Sequence, residues 1–85
     1  MIRAKVEIKL KKGIVDPEGK NIVKALNLLG FKNVKNAKTS KVIEIFIEEN
    51  NKENALKEIE EMCKKLLANP VINEYSIELE DLHDR

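Results

Sequence analysis

The sequence predicts an α+β fold. It is a βαββαβ two-layer sandwich, with a four-stranded antiparallel sheet in the ferredoxin-like order 4-1-3-2 and two helices on one face. Three observations carry this. Apolar residues alternate along the first stretch, "IRAKVEIKLK", which is the period of a half-buried strand. The period lengthens to that of a helix in two later stretches, "PEGKNIVKALNLL" and "NNKENALKEIEEMCKKLLANP". The charges on the strands' outward faces are complementary, and they choose the strand order.

In the first strand Ile2, Ala4, Val6, Ile8 and Leu10 share one face, and Arg3, Lys5, Glu7, Lys9 and Lys11 share the other. The first helix is expected over 17–29, with Ile22, Ala25, Leu26 and Leu29 turned to the core. Gly30 supplies a left-handed cap behind it. "NVKNAKT", residues 33–39, reads as a weak, lysine-bearing edge strand. "KVIEIFIEE" follows as a strong one, with Ile43, Ile45 and Ile47 inward and Val42 and Phe46 on its polar side. Asn50 and Glu53 resemble a capping box for the second helix. Ala55, Ile59, Met62, Cys63 and Leu66 form its apolar stripe, Lys64 and Lys65 suit its C-terminal dipole, and Pro70 stops it. "EYSIELE" closes the chain as a strand with Tyr75, Ile77 and Leu79 inward.

Two right-handed crossovers on this string place both helices on one face of the sheet. The outward face of the first strand is mostly cationic, whereas Glu44 and Glu48, then Glu74, Glu78 and Glu80, make the later strands acidic. Opposite charges on neighbouring strands stabilise by roughly 0.2–1 kcal/mol per pair, and like charges oppose pairing. The first strand is therefore expected between the two acidic ones.

With 85 residues, the chain is expected to be one domain, 1–85, with one small core. A core of that size is marginal alone, which predicts a homodimer or a dimer of dimers. The formal net charge of +1 gives no bulk attraction to nucleic acid or to an anionic membrane. Cys63 is the only cysteine, so neither an internal disulfide nor a cysteine-based zinc site is possible. No apolar run approaches the ~20 residues that span a bilayer, and Arg3, Lys5, Glu7 and Lys9 break up any signal-like segment. A cytoplasmic protein is expected.

"GIVDPEGK", residues 13–20, lies between the first strand and the first helix and looks like a phosphate loop. A Walker loop needs four residues between its glycines and a Ser or Thr after the lysine. Here five separate Gly13 from Gly19, Asn21 stands in the hydroxyl position, and Asp16 and Glu18 repel phosphate. The better reading is a helix start: Asp16 as N-cap, Pro17 at the first helical position, and Glu18 beside the positive helix end. Gly19 is left over. Glycine there costs up to ~1 kcal/mol relative to alanine, so its presence predicts a close approach by another backbone or side chain. The expected neighbour is a partner subunit or small ligand, and Gly19→Ala is then expected to leave the isolated chain's stability unchanged or slightly raised.

No catalytic, cofactor-binding or metal-binding residue is predicted. His83 stands alone in a polar tail, Cys63 lies on an apolar helix face, and Ser40 and Ser76 have no histidine at motif spacing. RNA-binding domains of this topology need aromatics on the open sheet face, and only Phe46 is placed there.

The same residues resemble a known family. "GIVDPEGKNIVKALNLLGFKNV" is similar to the Asp-Pro-x-Gly segment and following helix of the PurS proteins, small subunits of phosphoribosylformylglycinamidine synthase. "SKVIEIFIE" and "CKKLLANPVINEYSIE" resemble two further stretches of that family, with Ser40 where the family usually has glycine. The resemblance implies a non-catalytic subunit of purine biosynthesis that bridges a glutaminase subunit and a large synthetase subunit and supports ammonia transfer. ATP and magnesium would be used by the large subunit, with no cofactor in this chain. The alternative is an ACT-like regulatory domain, of the same element order, binding an amino acid at a dimer interface.

Overall fold

The computed structural model describes residues 1–82. Its elements are β1 (Ile2–Leu10), α1 (Pro17–Leu28), β2 (Ser40–Ile47), α2 (Lys52–Met62), a π-helical turn (Cys63–Leu67) and β3 (Asn73–Asp81). The sheet has three strands in the order β2-β1-β3, with both pairings antiparallel.

This corrects the four-stranded, 4-1-3-2 expectation. Residues 33–39 form no strand. Two of their backbone groups are tied to α1 and its cap instead: Asn27 Nδ2 donates to the Val34 carbonyl at 3.2 Å, and Asp16 Oδ2 accepts from the Thr39 amide at 2.7 Å.

β1 does lie between the two acidic strands. Lys5 faces Glu44 on one side and Glu78 on the other, and Lys9 faces Glu74. Arg3 pairs with Glu44 at 3.4 Å and with Glu80. These are exposed pairs, worth ~0–1 kcal/mol each, so they serve register more than stability. The inner face carries the stability. Ile2, Ala4 and Val6 of β1 and Ala55, Ile59 and Cys63 of α2 and its extension are fully buried. Ile43, Ile45, Tyr75, Ile77 and Leu79 pack around the edge of that cluster.

The second helix differs from expectation at both ends. Its N-cap is Asn51, one residue later than expected, and Asn51 Oδ1 accepts from the amides of Glu53 and Asn54 at 2.8 and 3.2 Å. At the other end the Ala68 amide reaches back five residues to the Cys63 carbonyl at 3.0 Å. That wider turn breaks the 3.6-residue period. Leu67 and Ala68 rotate onto the core, and Leu66, expected inside, is 81% exposed.

The larger departure is α1. It forms where expected, and its C-terminus is a Schellman motif: Phe31 N–H donates to Leu26 O and Gly30 N–H to Asn27 O, at 2.9 and 3.1 Å, with Gly30 at φ +107°. Yet only α2 packs substantially on the strands; α1 does not cover the sheet's other half. Ile22 and Ala25 are exposed, Leu26 is half-buried, and Leu28 and Leu29 are 78% and 74% exposed. The radius of gyration is 16.9 Å, against about 12 Å for a chain of this length folded into one compact body.

Candidate functional site

The turn between β1 and α1 is tied together through one carboxylate. Asp16, in extended conformation, caps α1: its Oδ1 accepts from the Gly19 amide at 2.8 Å. Its Oδ2 accepts from the Thr39 amide at 2.7 Å and from Thr39 Oγ1 at 2.9 Å. One carboxylate thus closes the helix start and ties it to the segment that enters β2. Pro17 takes the first helical position and Glu18 sits in the positive first turn, as the sequence implies. The amides of Gly19 and Thr39, then the Thr39 hydroxyl, hold the Asp16 carboxyl below the usual carboxylate range.

Gly19 is the only buried residue of α1. A Cβ built on it would lie 2.1 Å from the Ala37 carbonyl oxygen and 3.0 Å from its carbon. The close approach inferred from the sequence is therefore real, but the approaching backbone belongs to the same chain. This geometry argues against the expectation that Gly19→Ala spares the isolated subunit. Ala37 and Thr39 were invisible from sequence as members of this corner, because they lie about twenty residues from Asp16 and Gly19 in a stretch that reads as an edge strand.

The lowered Asp16 value makes a pH prediction. A folded value below the unfolded one means that the unfolded chain binds the extra proton, so stability rises with pH through that window. The contribution is complete above the ordinary carboxylate value of about 3.9 and is lost as pH falls through the lowered folded value. Asp16→Asn is expected to flatten the acid limb of a stability–pH curve below about pH 4, as read by urea unfolding. An acid limb identical to that of the parent would remove Asp16 from the explanation.

The other residues considered for chemistry are dispersed. Cys63 is buried in the core cluster, where burial and then Glu60 push its thiol up, away from a reactive thiolate. Ser40 opens β2 and donates to Glu7 Oε2 at 2.9 Å. Ser76 lies opposite Glu7 in the β1–β3 ladder. His83 lies outside the described residues. Among the described residues no group of three or more His, Cys, Asp or Glu is placed to hold a metal, and no helix is long and apolar enough to cross a membrane.

Comparison with known proteins gives the family. Residues 3–81 match the family model PurS, described as phosphoribosylformylglycinamidine (FGAM) synthase. The chain belongs to the PurS family. The PurS subunit of phosphoribosylformylglycinamidine synthase from Methanocaldococcus jannaschii is 56% identical over 82 residues, which cover 96% of this chain and 99% of that one. The crystal structure of M. jannaschii PurS, one of the subunits of formylglycinamide ribonucleotide amidotransferase in the purine biosynthetic pathway, superposes with a TM-score of 0.89 at 55% identity, covering 98% and 100% of the two chains. A chain in the structure of PurLQS from Thermotoga maritima gives a TM-score of 0.83 at 28% identity, covering 93% and 96%. The PurS family thus consists of small subunits of a purine-biosynthetic synthase, and the Asp16–Gly19 corner lies inside the segment by which the sequence resembles it.

Proposed function

We propose that this chain is the small subunit of a cytoplasmic phosphoribosylformylglycinamidine synthase and acts by assembly. It joins a glutaminase subunit to the large synthetase subunit and supports passage of ammonia between them. ATP and magnesium are used on the large subunit, and this chain contributes no catalytic group. The observation that supports this best is the near-complete match to a PurS subunit at 56% identity. The PurLQS neighbour supports the three-subunit arrangement. Family membership also suits an elongated protomer with an uncovered helix.

The reading includes self-association, as a homodimer or a dimer of dimers. Its support is the apolar surface a lone protomer leaves in water: Leu28 and Leu29 on α1, and Val42 and Phe46 at 52% and 56% exposure on the outer side of β2. Sedimentation is expected to show a dimer or larger at micromolar concentration, and a stable monomer there would refute it.

The functional test is reconstitution. The isolated chain is expected to show no glutaminase, ATPase or amidotransferase activity. Glutamine-dependent formation of formylglycinamidine ribonucleotide by the other two subunits is expected to require it. Turnover by the pure chain that disappears on changing one of its residues would overturn the proposal, as would full glutamine-dependent turnover in its absence.

A further inference from the structure

A cleft of about 610 Å³ opens beside the Asp16 corner, between the end of β1 with the loop that follows it, the first turn of α1, and the segment that enters β2. Five lysines line it from these three separate parts of the chain: Lys9, Lys11, Lys12, Lys20 and Lys38. Three carboxylates accompany them, those of Glu7, Asp16 and Glu74. The chain as a whole carries only +1, so this concentration of positive charge is local.

The five lysines outnumber the three carboxylates, and the carboxylates of Asp16 and Glu7 are engaged by other groups. Both oxygens of Asp16 are committed to Gly19 and Thr39, and one oxygen of Glu7 accepts from Ser40. Lys11 is steadied by donating to the Pro70 carbonyl at 2.6 Å. Lys9, Lys12, Lys20 and Lys38 form no ion pair among the described residues, whereas Arg3, Lys52 and Lys65 elsewhere do. Lys9 faces Glu74 across the ladder without closing to a salt bridge. Lysines in excess around one concavity raise the local concentration of anions. The wall also holds apolar surface, with Ile14 and Val15 at 40% and 59% exposure. A few charged groups around an apolar lining, in a cleft of a few hundred Å³, is the ordinary make-up of a small-molecule site.

We propose that this cleft binds a phosphate-bearing small molecule of nucleotide size. The lysines hold the phosphates as mobile point charges, and Ile14 and Val15 lie against the less polar part of the ligand. No backbone phosphate cradle is involved: Asp16 occupies the start of α1, so the site reads charge through side chains. A nucleic acid strand fits less well, because the sheet's outer face beyond the cleft carries Glu44, Glu78 and Glu80.

The test is titration of the full chain with ADP, pyrophosphate and adenosine separately, followed by amide chemical shifts and by calorimetry. ADP and pyrophosphate are expected to move the amides of residues 9–15, 20 and 36–40, and adenosine is not. Pyrophosphate binding as tightly as ADP means that phosphate alone is read; tighter ADP binding adds the apolar wall. Lys12→Ala with Lys38→Ala is expected to weaken binding at least tenfold, and Lys12→Arg with Lys38→Arg to restore most of it. Lys57→Ala with Lys64→Ala, on α2 and the π-helical turn, is expected to change nothing. A melting temperature within a degree or two of the parent's is expected for the lysine-to-alanine pair, because all the lysines concerned are exposed. The proposal is overturned by the absence of shifts at millimolar ligand, by adenosine binding as well as ADP, or by equal loss in the two lysine-to-alanine pairs.

Discussion

Gly19→Ala is expected to destabilise the docking of α1 onto residues 36–39. The contact at stake is with backbone: the new Cβ would lie 2.1 Å from the Ala37 carbonyl oxygen and 3.2 Å from Asp16 Cγ. A flexible side-chain end could swing away at small cost, but Ala37 is held in place by its neighbour Thr39, whose amide and hydroxyl both donate to Asp16. The chain must therefore either strain or release those hydrogen bonds. Overpacking of this kind costs roughly 1–3 kcal/mol. The gain in helix propensity is at most ~1 kcal/mol, so the net sign is destabilising. Because α1 does not lie on the sheet, the loss is expected to be local. Hydrogen exchange should accelerate at the amides of Gly19's replacement and Thr39 several-fold or more, with the β1 amides little changed. A parent-like exchange rate at Thr39 with a raised melting temperature would show that the 36–39 segment yields freely.

What the sequence disclosed follows the range of the interaction concerned. Period-two and helical patterns are local, and they located β1, β2, β3 and both helices to within a few residues. Caps are equally local. Pro17 and Gly30 took their expected places, and the α2 cap slipped only from Asn50 to Asn51. Cross-strand charge is longer in range, yet it still placed β1 at the centre, because Lys5 has an acidic partner on both sides.

The absence of the expected edge strand at 33–39, the π-helical turn and the surroundings of α1 escaped a local reading. The π-helical turn shifts the helical phase by one residue, so a stripe extrapolated from Ala55 and Ile59 lands on Leu66, where the chain packs a half-buried Leu67 on the core instead. The apolar face expected on α1 was assigned to the protomer's own sheet, and in the protomer Ile22, Ala25 and Leu29 are exposed. Periodicity says that a face will be covered and is silent on which surface covers it. The same gap explains the corner. A glycine at position 19 announces a close approach, and only the structure shows that the Ala37 backbone makes it.

Ile59→Ala and Leu29→Ala, compared side by side, separate the core of the protomer from the surface it leaves open. Ile59 is fully buried among Ala4, Val6, Ile8 and Cys63. Truncating such a side chain costs about 2–5 kcal/mol, including the cavity left behind. The largest fully buried side chains are only Ile2, Ile59, Val6 and Cys63, so little else can absorb the loss. A chain of this size is stable by roughly 4–13 kcal/mol in all, and each kcal/mol moves the melting temperature by about 4–8 °C. Ile59→Ala is thus expected to lower the melting temperature by about ten degrees or more, equally at every protein concentration. Leu29, 74% exposed in the protomer, is expected to cost at most about 0.5 kcal/mol where α1 stands in water. Self-association through α1 makes a different demand: the parent's melting temperature rises with concentration, and Leu29→Ala weakens that rise. Melts of both variants and the parent over a hundredfold concentration range decide the matter. A concentration-independent parent and a silent Leu29→Ala would leave α1 uncovered by its own kind, whereas a slope that Leu29→Ala flattens and Ile59→Ala preserves would place the second copy on that helix.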